Sequence, residues 1–233
     1  MVSYQYSYMI GCIALVIVWA ILYKFRKDTR KEMLLISGIF GIAGLFVDPV
    51  YFKDWWHPLT ITNTMPGIES FIFGFTVGGI ASIIYEEVFL KRVKVRKARK
   101  KEEIKKDERL FIICFLLAAL FFGFFYLLGF NSFYASFPAF FIPIFIIWFK
   151  RRDLILDSLF SAVLLTIISF IFYIIPEMIT PGWIASAWNF NTISGITILK
   201  IPIEDLIWFF LTGLYIGPLY EYWRGGRVVK NSR

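Results

Sequence analysis

Long apolar runs separated by short polar stretches dominate the chain. A membrane span needs roughly 20 mostly apolar residues, and the pattern offers seven candidates: 6–23, 33–47, 67–89, 110–130, 134–149, 154–175 and 203–222. The second is short and the fifth carries Pro138 and Pro143. Neighbouring helices tolerate such tilted or kinked spans. The expectation is an all-α polytopic membrane protein.

The polar stretches between the runs test this count. Alternate stretches are rich in Lys and Arg: residues 24–31, 91–109, 150–152 and 224–233 hold 23 of the 25 basic residues, leaving Lys53 and Lys200 for the others. By the positive-inside rule, seven spans follow, with the N-terminus outside and the C-terminus in the cytoplasm of a cell-membrane protein. The run KRVKVRKARKKEEIKKDER (91–109) suits an anionic-lipid or partner site, but a solvated cytoplasmic extension of the third helix is the better account, since the positive-inside rule already explains it. The first apolar run lacks a preceding basic segment, so it reads as a retained helix rather than a cleaved leader.

Composition narrows the class. The chain of 233 residues is 58% hydrophobic, with 27 Phe, 12 Tyr and 8 Trp, more than a soluble domain of this size buries. The net charge of +8 is the mark of the cytoplasmic loops and implies no nucleic-acid partner. Cys12 and Cys114 fall at opposite membrane depths, too far apart for a disulfide. With His57 the single histidine, no imidazole-based zinc or haem site is expected, and no metal. His57 sits beside Trp55 and Trp56 and fits an aromatic belt better than a proton shuttle.

A shift of 135 residues lays the third span on the seventh. GIESFIFGFTVGGIASIIYE (67–86) falls over PIEDLIWFFLTGLYIGPLYE (202–221), matching Glu69 with Glu204, Gly78 with Gly213, Tyr85 with Tyr220 and Glu86 with Glu221. The plan this predicts is a three-helix repeat (1–90), a basic loop and linker helix (91–132), and a second three-helix repeat (133–233). Because the offset is an even number of spans, the repeats are parallel, related by an axis along the membrane normal.

Carboxylates within spans are functional by default. Glu69 and Glu204 lie at equal depth near the outer ends and form the expected inter-repeat pair. Asp205 follows Glu204 but points elsewhere. It reads equally as a site residue or a helix cap. Asp48 and Glu177, beside prolines at helix ends, are expected to be structural. Glu86 and Glu221, about 25 Å further along, read as cytoplasmic interface anchors. Phe73, Phe75, Trp208 and Phe210 are the expected lining of a pocket. Gly74, Gly78, Gly79 and Gly213 allow close helix packing or room for a flat ligand.

Pro202-Ile203-Glu204-Asp205 before an aromatic span resembles the Pro-x-Glu-Glu/Asp motif of the integral-membrane lycopene cyclases. The duplicated three-helix unit is also similar to that family. The first copy departs from the motif: its proline, Pro66, is one place early, and Ser70 stands for the second acid. The resemblance implies a redox-neutral cyclisation of a linear carotenoid without a cofactor, started by a carboxylic acid in an aromatic, water-poor pocket. It implies Glu204 as principal acid, Glu69 as its partner and Asp205 in support. A carotenoid hydratase would begin with the same protonation. A transporter or scaffold is the non-enzyme alternative. A retinal protein is disfavoured, since 203–222 contains no Lys. The carotenoid and the lipid bilayer are the expected partners, and the oligomeric state is left open.

Overall fold

The computed structural model describes residues 3–94 and 100–230. The chain is mostly helical: α1 Ser7–Phe25, α2 Arg30–Tyr51, α3 Ile68–Val88, α4 Lys100–Phe122, α5 Ser132–Lys150, α6 Ile155–Ile179, a short α7 Trp183–Ala187, α8 Ile203–Ile216 and α9 Leu219–Arg224. A five-residue π-helical turn, Gly123–Leu127, extends α4. Six helices among the described residues are long and apolar enough to cross a membrane. The expected seventh span is divided. Its first part, α8, has 14 residues and ends at Gly217 and Pro218, where proline supplies no N–H to continue the ladder. The middle of the basic stretch, residues 95–99, lies outside the described residues.

Equivalent features recur along the chain at two offsets. Both α1 and α5 have 19 residues, and Ser7 and Ser132 begin them 125 residues apart. After each helix an arginine clasps an aspartate two residues on: Arg26 with Asp28 at 3.0 Å, Arg151 with Asp153 at 2.7 Å. Arg26 also donates to the Lys91 carbonyl at 2.8 Å, and Arg151 to the Gly226 carbonyl at 2.8 Å. Burial opposes the charge on Arg26, but the hydrogen bonds it donates to Asp28 and Glu87 more than offset this and leave its pKa raised. Lys91 and Gly226 are 135 apart, the offset that also relates α3 to α8. The ten-residue increase between the two offsets falls in the segment between α6 and α8. Beside these arginines, β1 (Lys91–Lys94) and β4 (Arg227–Lys230) pair antiparallel.

Small residues set the helix spacing. A Cβ on Gly74 of α3 would meet the Phe40 carbonyl of α2, and one on Gly213 of α8 would meet the backbone of Ala162 in α6. The glycines therefore serve close packing within α2–α3 and α6–α8, the helix pairs with the most extensive contact. At the opposite end from the arginines, the segments after α2 and α6 are joined. Trp56 and Trp188 form an antiparallel bridge, Asn189 N donates to Trp55 O at 2.9 Å, and the two indoles pack at 5.2 Å. His57 rests edge-on against Phe52 at 4.9 Å, within this aromatic layer.

Candidate functional site

Pro202 is extended and Ile203 begins α8, so Glu204 and Asp205 both occupy the first helical turn. Consecutive helical residues point about 100° apart, and here they part company. Glu204 turns back to the preceding loop, where its Oε1 accepts from Ser194 N at 2.7 Å. Glu69 does the same at the start of α3, with Oε1 accepting from Ile61 N at 2.7 Å. Each glutamate is buried, and its Oε2 has no hydrogen-bond partner. An anion at a helix N-terminus is favoured by the helix dipole, and these two also pin the loops above. Neither lines the cavity beneath, so the structure does not bring Glu69 and Glu204 together there.

That cavity has a volume of about 320 Å³ and is walled almost wholly by apolar and aromatic side chains from α2, α3, α4, α5, α6 and α8. Two carboxylates face it: Asp205 of α8 and Asp48 of α2. Asp205 Oδ1 accepts from Tyr173 Oη of α6 at 2.7 Å. Its Oδ2 has no donor in ordinary hydrogen-bond geometry, and the indole N–H groups of Trp188 and Trp55 are its nearest polar neighbours, in longer contacts. Asp48 is fully engaged. Ser70 Oγ of α3 donates to it at 2.6 Å, Trp56 Nε1 at 2.9 Å and Tyr8 Oη of α1 at 3.2 Å.

These partners stand at the recurring offsets. Asp48 and Tyr173 are 125 residues apart, and Ser70 and Asp205 are 135 apart. The α2–α3 pair and the α6–α8 pair thus each hold a carboxylate–hydroxyl hydrogen bond, with acid and hydroxyl on opposite helices. Phe73 and Trp208, also 135 apart, stack on each other at 5.9 Å in the cavity wall. Trp208 Nε1 donates to Tyr51 Oη at 2.8 Å, fixing the indole.

Several sequence expectations need correction. Phe75 packs against Trp19 and Phe71, and Phe210 lies outside the lining, because both point away from the face that carries Phe73 and Trp208. Asp48 is not at a frayed helix end: α2 continues through Pro49 to Tyr51, which leaves Asp48 inside the bundle. Glu177 is structural as expected. Its carboxylate accepts from Gly182 N and Ile184 N, and Lys200 pairs with it at 3.1 Å. Glu86 and Glu221 are not interface anchors, since both are wholly buried, with 0% exposure.

One lining residue is fully exposed, and half-buried ones lie on α2, α3, α4 and α8, Phe73, Gly74 and Trp208 among them. Phe46 of α2 is 67% exposed, and Ala43, Val47, Ala118 and Phe122 are half-buried. The cavity therefore comes closest to the surface at Phe46 of α2. Such a site suits an apolar ligand with a flat end, held among aromatic faces and within reach of two carboxylates.

No curated protein and no solved structure matches the chain. Residues 131–223, which carry Tyr173, Trp188, Asp205 and Trp208, match the family model for lycopene cyclase, the family that the Pro202–Asp205 motif resembles.

Proposed function

We propose that the protein is a membrane carotenoid cyclase that closes a ring on the end group of lycopene or a similar linear carotenoid. The observation that carries this reading is the placement of Asp48 and Asp205 on one aromatic cavity, in a chain whose second half matches the lycopene cyclase family. The match supports a carotenoid-cyclising role in general. The assignment of steps to residues rests on the cavity.

Asp205 has one close donor, Tyr173, and only longer contacts to Trp188 and Trp55 in an apolar wall, and is the carboxyl suited to carry a proton. It delivers that proton to the terminal double bond of the end group. The tertiary cation that forms is attacked by the next double bond, which closes a six-membered ring and moves the charge into it. Asp48, held by three donors, is the ionised carboxylate that faces the cation and takes a ring proton. Returning this proton to Asp205 resets the site, so the reaction is redox-neutral and needs no cofactor. Phe73 and Trp208 stabilise the cation through their π faces, and the shortage of polar groups keeps water from capturing it. Glu204 and Glu69 hold the roof loops and act on the chemistry only through Asp205 and Ser70 beside them.

The recurring offsets support two parallel three-helix repeats joined by α4, with α8 and α9 together making the seventh span. The basic residues support an N-terminus outside and a C-terminus in the cytoplasm. In this orientation the cavity lies towards the outer face.

The test is expression in a bacterium that accumulates lycopene, followed by chromatography and mass measurement of the pigments. Cyclic isomers of unchanged mass are expected. A gain of the mass of water would identify a hydratase instead. Unchanged lycopene, with the protein verified in the membrane, would overturn the enzyme reading.

A further inference from the structure

At the basic end, far from the cavity, four carboxylates meet inside the bundle. Glu86 and Glu221 are 0% exposed, Asp157 2% and Glu32 3%. One oxygen each of Glu86, Asp157 and Glu221 lies within 4.8 Å of the other two. Glu32 faces all three from α2, and its buried Oε1 has no partner of its own. Among the described residues, both oxygens of Glu86, both of Glu221 and Oδ2 of Asp157 likewise have no donor in ordinary hydrogen-bond geometry, and the carboxyls of Glu86 and Glu221 lie beside each other. We propose that these four side chains form a site for a hard divalent cation that ties the first half of the chain to the second.

Four buried carboxylates this close repel one another strongly unless something neutralises them. Among the described residues, Arg26 and Arg151 bring positive charge near the cluster but give their hydrogen bonds to other groups. Arg26 bonds Asp28, Glu87 and the Lys91 carbonyl, while Arg151 bonds Asp153 and the carbonyls of Glu221 and Gly226. The donor set is all oxygen, with neither sulfur nor imidazole, which selects a hard cation such as Ca²⁺, Mn²⁺ or Mg²⁺ over Zn²⁺. Ca²⁺ binds oxygen at about 2.3–2.6 Å and accepts six to eight ligands, so oxygens up to 4.8 Å apart suit it without rearrangement. The ligands also follow the recurring offsets: Glu32 and Asp157 are 125 residues apart, and Glu86 and Glu221 are 135 apart. Each half thus contributes two ligands from equivalent places, and the ion would sit between the halves. This inference is independent of the cyclase reading, because its readouts need no carotenoid.

The experiment uses the full chain purified in detergent. Its metal content is measured before and after a chelator wash, and its thermal unfolding is followed in CaCl₂, MnCl₂ and MgCl₂. A saturable rise in Tm is expected for at least one cation, about 5–10 °C at a concentration 100 times Kd. Glu86→Gln and Asp157→Asn should abolish that rise, while Glu108→Gln, at an exposed position on α4, should keep it. Should the first two variants fail to fold, Glu32→Gln and the metal content of the native chain decide the matter. A metal-free native protein whose Tm ignores all three cations would overturn the proposal. So would a Glu86→Gln or Glu221→Gln variant more stable than the native chain in saturating cation, the behaviour of carboxylic acids that merely share protons.

Discussion

In the first half of the molecule the cavity-facing acid is Asp48 on α2, and its hydroxyl partner is Ser70 on α3. In the second half the acid is Asp205 on α8, and its partner is Tyr173 on α6. The four positions are pairwise equivalent, yet the acid has changed helix between the halves. The surroundings differ too. Asp48 receives three close donors, whereas Asp205 receives one close donor, with Trp188 and Trp55 in longer contacts. Two carboxylates in one cavity with unequal hydrogen bonding are suited to unequal tasks, one holding a proton and the other a negative charge. Equivalent positions of the two halves supply two acids close together, and the difference in their neighbours suits them to different roles.

The contrast predicts a ranking of variants. Asp205→Asn should have the largest effect, a loss of about 10²–10⁴-fold in cyclised product in lycopene-accumulating cells, with membrane insertion intact. Native turnover by this variant would remove Asp205 from the chemistry. Asp48→Asn should follow, at about 10²-fold or more in the same assay. If it cyclised as well as the native chain, the division of roles between the halves would fail. Glu204→Gln and Glu69→Gln should each cost about 1.5–3 kcal/mol of stability by weakening a charged loop anchor, read from thermal unfolding. Their equal geometry predicts equal losses, and a purely catalytic Glu204 would instead lose turnover with its Tm unchanged. The smallest effects belong to the hydroxyls. Tyr173→Phe removes the closest hydrogen bond to Asp205 and should slow turnover about tenfold, whereas Ser70→Ala leaves two donors on Asp48 and should slow it only about two- to threefold, near 0.5 kcal/mol. The reverse order would mean that Asp48, not Asp205, is the more delicately held acid.

Much of this was legible in the chain. The hydrophobic runs and the basic stretches mark the helices, and the 135-residue offset pairs Phe73 with Trp208, which do meet in the cavity wall. Helix rotation was not legible. Glu204 and Asp205 are adjacent in sequence, and only packing decides which one faces the loop. Pro49 suggested a helix end at Asp48, but a proline in the last turn leaves the helix intact, and Asp48 stayed inside it. Glu86 and Glu221, each after a tyrosine, looked like interfacial residues. They are buried together with Glu32 and Asp157, which lie on α2 and α6 and recur at a different offset, so one shift of the sequence could not reveal all four.

The exposure of Phe46 at the cavity has a kinetic consequence. On the cyclase reading, a cavity that comes to the surface at Phe46 draws its ligand from the two-dimensional pool of the bilayer. Bulk pigment concentration would then matter less than the mole fraction of pigment in the bilayer. Added inert lipid should slow the reaction at constant total pigment, as surface dilution slows any collision confined to a sheet.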